Sequence, residues 1–208
     1  MTPILLPVLL VATALPAPLP SEPPDDIVFD VYRNDTEFGH HAVRFGETPS
    51  GALRVDVDIE LTAGFGPVTV FRYEHEAEEV WQDGQLVELT AATLKDGDWT
   101  RIDVEPDTDA TRDAQDAALA ALMPSSHWRG YSPATGTILN TETGEPMAVE
   151  IEDLGMERIA TETGEVEARH IRMTGTLQVD LWYDEAGRWV GCRFEARGQS
   201  IRYVLQDG

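Results

Sequence analysis

Cysteine is almost missing from this sequence: Cys192 is the single one in 208 residues. One thiol excludes an intramolecular disulfide in any redox compartment. Cys192 falls in step with Val190 and Phe194, so it reads as a buried, inert thiol and not as a nucleophile. Cations are the second shortage. Lys and Arg number 15 against 38 Asp and Glu, a formal net charge of −23. Such a chain is repelled by bare phosphate backbones and anionic membrane surfaces, so no nucleic-acid partner is expected. The acidity reads first as solubility of the solvated faces and only second as a lure for a cationic partner.

Long hydrophobic runs are scarce too. Residues 1–20 carry no charged side chain, and their apolar run, Ile4 to Val11, has the length of a signal-peptide core and is too short to span a bilayer. Ala12-Thr13-Ala14 supplies the small residues of a cleavage site, with Ala17 as an alternative, although no Lys or Arg precedes the run. Pro16, Pro18, Pro20, Pro23 and Pro24 follow and keep that stretch out of helices and central strands. The expected organisation is a signal peptide over 1–17, a Pro-rich leader over 18–26 and one β-domain over 27–208. No transmembrane segment remains after cleavage, and the mature protein is expected in the periplasm or secreted. A chain of this length holds one core.

What the sequence does have is period-two alternation. Leu53, Val55, Val57, Ile59 and Leu61 interleave with Arg54, Asp56, Asp58 and Glu60, the pattern of a half-buried strand. Further runs at 27–33, 40–45, 68–81, 86–94 and 99–104 are punctuated by Asp83-Gly84 and Asp96-Gly97, giving a first β-meander. Over 136–140, 147–160, 165–174, 176–183, 188–197 and 199–206 the pattern gives a second. Its turns include the repeated Thr-Glu-Thr-Gly at 141–144 and 161–164. Between them, the Ala-rich stretch 109–123 predicts a helix ended by Pro124. About eleven to twelve antiparallel strands exceed a comfortable flat sheet, so the fold class expected is mainly β, a meander curled into a barrel or half-barrel. The single helix then serves as plug or lid.

Motifs that demand a particular chemistry are absent. Ser125-Ser126-His127 offers adjacent residues without a Gly-x-Ser-x-Gly elbow, a poor nucleophile and base pair. Gly64-Phe65-Gly66-Pro67 lacks the Lys and the helix of a phosphate loop and reads as a hairpin turn. His75, or the neighbouring His40 and His41, shows no ligand spacing, so no metal and no cofactor is expected. Paired carboxylates carry no information among 38 acids.

Alternation places Phe71, Tyr73, His75 and Ala77 on one face of a long strand and Arg72, Glu74, Glu76 and Glu78 on the other. Trp81, Trp128, Tyr131, Trp182 and Trp189 suit the lining of a curled sheet, mostly as core. His127-Trp128-Arg129 directly follows the expected helix, which puts an imidazole, an indole and a scarce cation at the expected barrel mouth. The candidate ligand-binding residues are therefore Trp81, His127, Trp128, Arg129 and Tyr131, and no catalytic residue is assigned.

Several segments have a familiar look: Val70-Phe71-Arg72-Tyr73-Glu74-His75, Glu79-Val80-Trp81-Gln82-Asp83-Gly84-Gln85-Leu86, Ser126-His127-Trp128, and Asp180-Leu181-Trp182-Tyr183-Asp184 with Gly187-Arg188-Trp189-Val190. From about Asp30 to Leu205 the chain resembles a family of uncharacterised exported bacterial proteins known as a domain of unknown function. The resemblance implies an envelope-associated β-protein, distantly like the curled-sheet lipid carriers of the periplasm in shape. The expected function is non-enzymatic, with a small apolar or amphipathic ligand held in a concave sheet. Two alternatives stand beside it: a hydrolase using His127 or His75 with an acidic partner, and a filled structural module whose acidic faces meet a basic protein.

Overall fold

The structure, a computed structural model, describes residues 23–65, 68–104 and 121–206. Fourteen strands are present among them. The first six are β1 (Ile27–Arg33), β2 (Thr36–Glu47), β3 (Leu53–Phe65), β4 (Val68–Gln82), β5 (Gln85–Lys95) and β6 (Asp98–Val104). Three short ones follow: β7 (Met123–Pro124), β8 (Thr137–Leu139) and β9 (Pro146–Ala148). The last five are β10 (Glu150–Ala160), β11 (Glu165–Thr174), β12 (Gln178–Tyr183), β13 (Trp189–Ala196) and β14 (Gln199–Leu205).

Eleven of these form one sheet in the order β10-β11-β12-β13-β14-β1-β2-β3-β4-β5-β6, while β7, β8 and β9 form a second, small one. The large sheet is two antiparallel meanders joined along a seam, where Phe29 of β1 stands opposite Leu205 of β14. Tight turns account for the meanders. Asp83 and Gly84, Asp96 and Gly97, and Arg197 and Gly198 all take positive φ, the two-residue geometry whose twist matches that of paired strands.

Alternation sorts the side chains of the large sheet. On its inner face Phe29, Val43, Val55, Ala77, Leu89, Leu181 and Cys192 are all buried in one cluster drawn from both meanders. A flat sheet cannot bring β5 and β12 into one core; a curled one does. The small sheet lies inside that curl, and its Ile138 and Leu139 belong to the same cluster, both fully buried.

Three expectations need correction. First, the strands number fourteen, in two sheets, because 123–124, 137–139 and 146–148 pair with one another and not with the meanders. Second, the large sheet is not a closed barrel: β10 and β6 are its two edges. β10 is mostly exposed and carries Glu150, Glu152, Asp153 and Glu157 together with a register shift at Gly155, features that discourage another strand from pairing there. Third, no helix occurs among the described residues. The expected helix over 109–123 falls largely outside them, and its described end is a turn at Ala121 and a bend at Leu122 before β7 begins at Met123. The filling of the curl that was assigned to a helix comes from the segment 121–149 with its small sheet.

Gly39 sits where β2 slips its register against β1. Its φ is +150°, and a Cβ there would lie 1.8 Å from the Glu60 carbonyl oxygen of β3, so backbone would have to move. Gly39→Ala is expected to cost about 2 kcal/mol or more, lowering the thermal midpoint by about 4–8 °C. Scanning calorimetry of the two proteins measures it.

Candidate functional site

The concave side of the sheet has a filled end and a hollow end. At the filled end β4 presents Glu79, which is fully buried. Its Oε2 accepts the indole N–H of Trp81 at 2.8 Å and that of Trp128 at 2.9 Å, while Oε1 has no hydrogen-bond partner. Burial drives the carboxyl toward its protonated form. The neighbouring Ser126, Trp128 and Trp81 side chains and the charge of Arg129 pull the other way without overcoming it. Arg129 stacks over Trp81 at 4.8 Å and over Trp128 at 5.7 Å, and Trp128 meets Phe45 of β2 edge-on at 5.3 Å. These contacts staple the inserted segment to the sheet.

The segment is anchored further along. The Tyr183 hydroxyl donates to the His127 carbonyl at 2.9 Å. The Tyr131 hydroxyl donates to the Pro124 carbonyl at 2.9 Å and lies 2.8 Å from His127 Nδ1. With its one proton committed to Pro124, the Tyr131 oxygen accepts from Nδ1–H, which leaves Nε2 of His127 as a bare lone pair. His127 has φ +65°, an uncommon backbone for a residue with a Cβ and the kind of local strain that gathers at working sites.

At the hollow end is a cavity of about 690 Å³, well within the range of small-molecule sites. Its walls are mostly apolar and come from both meanders, with Leu61, Phe71, Met173, Val179, Phe194 and Ile201 among them. Polar and charged side chains share the lining, Arg33, Tyr73, Asn140, Thr141, Glu142 and Gln199 among them. His75 hydrogen-bonds Thr93 through Nδ1 at 2.8 Å, and His127 bonds as described. His41 is buried and neither ring nitrogen has a hydrogen-bond partner. Its ring is packed edge-on against Phe29, Trp189 and Tyr203. At the rim Lys95 pairs with Glu142 at 3.0 Å, and Arg197 with Asp96 at 3.0 Å.

Burial favours the neutral forms of the cavity's histidines, of Tyr73 and Tyr203 and of Cys192. It lowers the pKa of His75 and of His127 to about 4 and that of His41 well below its ordinary value, where the neighbouring His127, His75 and His40 add to the effect. It raises those of Tyr73, Tyr203 and Cys192, so Cys192 is a buried thiol and no thiolate. Neither His75 nor His127 hydrogen-bonds a carboxylate through its ring; their partners are the hydroxyls of Thr93 and Tyr131. Among the described residues no three His, Cys, Asp or Glu side chains converge as a metal site.

Of the candidate residues read from the sequence, His127 lines the cavity. Trp81, Trp128, Arg129 and Tyr131 belong to the filled end around Glu79 and its neighbours. Sequence reasoning weighed His41 only as a metal ligand and passed over Glu79. The parity of His41 with Val43 and Phe45, and of Glu79 with His75 and Ala77, was the signal that would have placed both on the inner face.

An open antiparallel sheet curled about an inserted segment and a hollow defines a β-barrel-like protein. The chain belongs to the family described as Domain of unknown function (DUF6134), which matches residues 29–206, in agreement with the resemblance carried by its sequence segments. It is similar in fold to a solved structure from Brucella abortus described as a beta-barrel-like protein of domain of unknown function DUF1849. The TM-score is 0.53 at 9% identity, covering 88% of this chain and 95% of that one. No curated protein matches.

Two outcomes follow for stability. Glu79→Leu leaves two buried indole N–H groups without an acceptor and is expected to cost about 2–4 kcal/mol, whereas Glu79→Gln keeps an acceptor and stays within about 1 kcal/mol. Urea unfolding followed by tryptophan fluorescence reads both. For pH, an unfolded imidazole takes its proton near 6.5, while His75 and His127 in the fold do so only near 4. Between those values the unfolded chain binds more protons, so stability is complete above about pH 6.5 and is lost as pH falls toward 4. Glu79, with its pKa raised, acts in the opposite sense. The same unfolding curves at pH 7.5 and pH 5 are expected to show the acid sample less stable, a difference that shrinks when His75 and His127 are replaced by Gln.

Proposed function

We propose that this protein is a non-catalytic binding protein of the bacterial envelope that holds a small apolar or amphipathic molecule inside its curled sheet. The observation that carries this reading is the cavity of about 690 Å³ with predominantly apolar walls. Closing apolar surface around a ligand is favourable by about 25 cal/mol per Å² removed from water. Export rests on the uncharged apolar run before Ala14 and Ala17, and a periplasmic protein of this kind meets lipids and other amphipaths as a matter of course.

A fluorescent apolar probe, N-phenyl-1-naphthylamine, is expected to bind the purified protein with a blue-shifted emission. Ile59 faces the cavity from β3, so Ile59→Trp fills part of it and is expected to weaken probe binding at least tenfold, about 1.4 kcal/mol. Absent binding to the unaltered protein, or equal binding to the filled variant, would refute the reading.

A further inference from the structure

Resting on the binding reading above, the charged side chains of the hollow say which end of a ligand would stay at its mouth. Four of them line it: the cations Arg33, Lys95 and Arg197 and the single acid Glu142. That balance reverses the chain's own, in which acids outnumber Lys and Arg by 38 to 15. Two of the cations are already engaged, Lys95 with Glu142 at 3.0 Å and Arg197 with Asp96 at 3.0 Å. Glu142 is held a second time by the Tyr73 hydroxyl, which donates to it at 2.9 Å. Arg33 pairs with no carboxylate among the described residues; its contact is with the Phe38 ring, 5.5 Å from the guanidinium carbon to the centroid. It is half-buried at the end of β1, next on the inner parity after Phe29 and Val31 and opposite Ile201 of β14, so the strand itself turns it toward the hollow. Unlike the ring nitrogens of His41, its nitrogens are not sealed in. Phe38 stacks on Phe71 at 5.5 Å, and Arg197 covers Phe71 at 5.7 Å. Each ring of that aromatic pair thus carries a guanidinium, and both rings border the apolar wall. Val70, beside Phe71 on β4, and Leu177 also line the hollow and are exposed, which gives the mouth an apolar lip.

We propose that Arg33 is the head-group receptor of the hollow, and that the ligand is a long-chain carboxylic acid in its ionised form, inserted tail first with its carboxylate at the mouth. The guanidinium offers that carboxylate two parallel N–H donors, a pairing stronger in a partly dehydrated mouth than in open water. The alkyl chain lies inward along Leu61, Phe194 and Ile201. A head-first entry is the less favoured arrangement, because the deeper wall offers no counter-charge: burial holds His41, His75 and His127 in their neutral forms, and an ionised head there would lose its hydration without a partner. One spare guanidinium matches the single charge of a carboxylate, whereas a phosphate monoester would bring nearly twice that charge toward Glu142.

The test is a competition experiment at neutral pH in which decanoate and 1-decanol displace N-phenyl-1-naphthylamine from the unaltered protein and from Arg33→Met, which keeps a side chain on Phe38 and removes the charge. The two displacers share a chain and differ in the charge of the head, so comparing their ratio between the two proteins cancels the burial of the chain. The preference for decanoate over decanol is expected to fall at least about fivefold in Arg33→Met, through loss of decanoate affinity alone. A smaller fall overturns the head-group role and leaves the cavity reading standing. So does a probe that binds the unaltered protein but is not displaced by decanoate. Failure of the probe and of both displacers to bind the unaltered protein overturns the two together. Should Arg33→Met fail to fold, the ¹⁵Nε resonance of Arg33 in the unaltered protein decides the matter. Decanoate is expected to shift it and decanol to leave it in place, and identical spectra with the two additives overturn the proposal.

Discussion

A carboxyl at the bottom of a curled sheet, out of reach of water, needs donors that come to it, and in this protein two indoles approach the same oxygen, Glu79 Oε2. One indole, Trp81, belongs to β4 itself; the other, Trp128, arrives on the segment inserted between the meanders. The carboxyl is thus a fastener between sheet and insert, and its position decides how the interior is divided. Around it, Arg129, Phe45 and the small sheet fill the curl. Beyond His127 the insert no longer fills the space, and a hollow remains between the same two meanders. An open sheet with an apolar inner face must be covered by something, and at the filled end the cover is the insert.

The strands were legible because each of them buries one face. Leu53 to Leu61 alternates so regularly that burial of Val55, Val57 and Leu61 could be read from the letters, and Asp83-Gly84 and Asp96-Gly97 marked the turns that the backbone adopts with positive φ. The insert was not legible, since its elements are two or three residues long and too short to show any period. The site was half legible for a related reason. His127 lay beside conspicuous aromatics and was picked out with them, but those aromatics proved to be packing around a carboxylic acid. Glu79 was concealed in a run with Glu74, Glu76 and Glu78, where composition suggests solvent. His41 was concealed beside His40, whose ring faces outward to Asp58 at 2.9 Å. In both cases only parity separates the buried residue from its exposed neighbour.

The two faces of the sheet show how far side-chain environment departs from overall charge. A chain with net charge −23 places acids in rows on the outer surface of β3 and β4, where Asp56 and Glu78 share Arg54. The inner surface of the sheet has imidazoles, phenols and a thiol, from His75 on β4 to Tyr203 on β14 and Cys192 on β13, all driven toward their neutral forms by burial. Strong acidity outside and neutrality inside are compatible because the strand pleat points successive side chains to opposite solvents.

The seam between β1 and β14 has a bearing on the order of assembly. Gln206 reaches back to Val28 and Asp30, so the strands that meet there are the first and last of those described, far apart along the sequence. The hairpins on either side are local and can form early, whereas this joint needs β14 and bears the cost of a long loop closure. Since the walls of the hollow come from both sides of the seam, the hollow does not exist until that last pairing is made. The hollow is then the final product of folding, and a nascent chain short of β14 is an incomplete vessel with its lining turned to water.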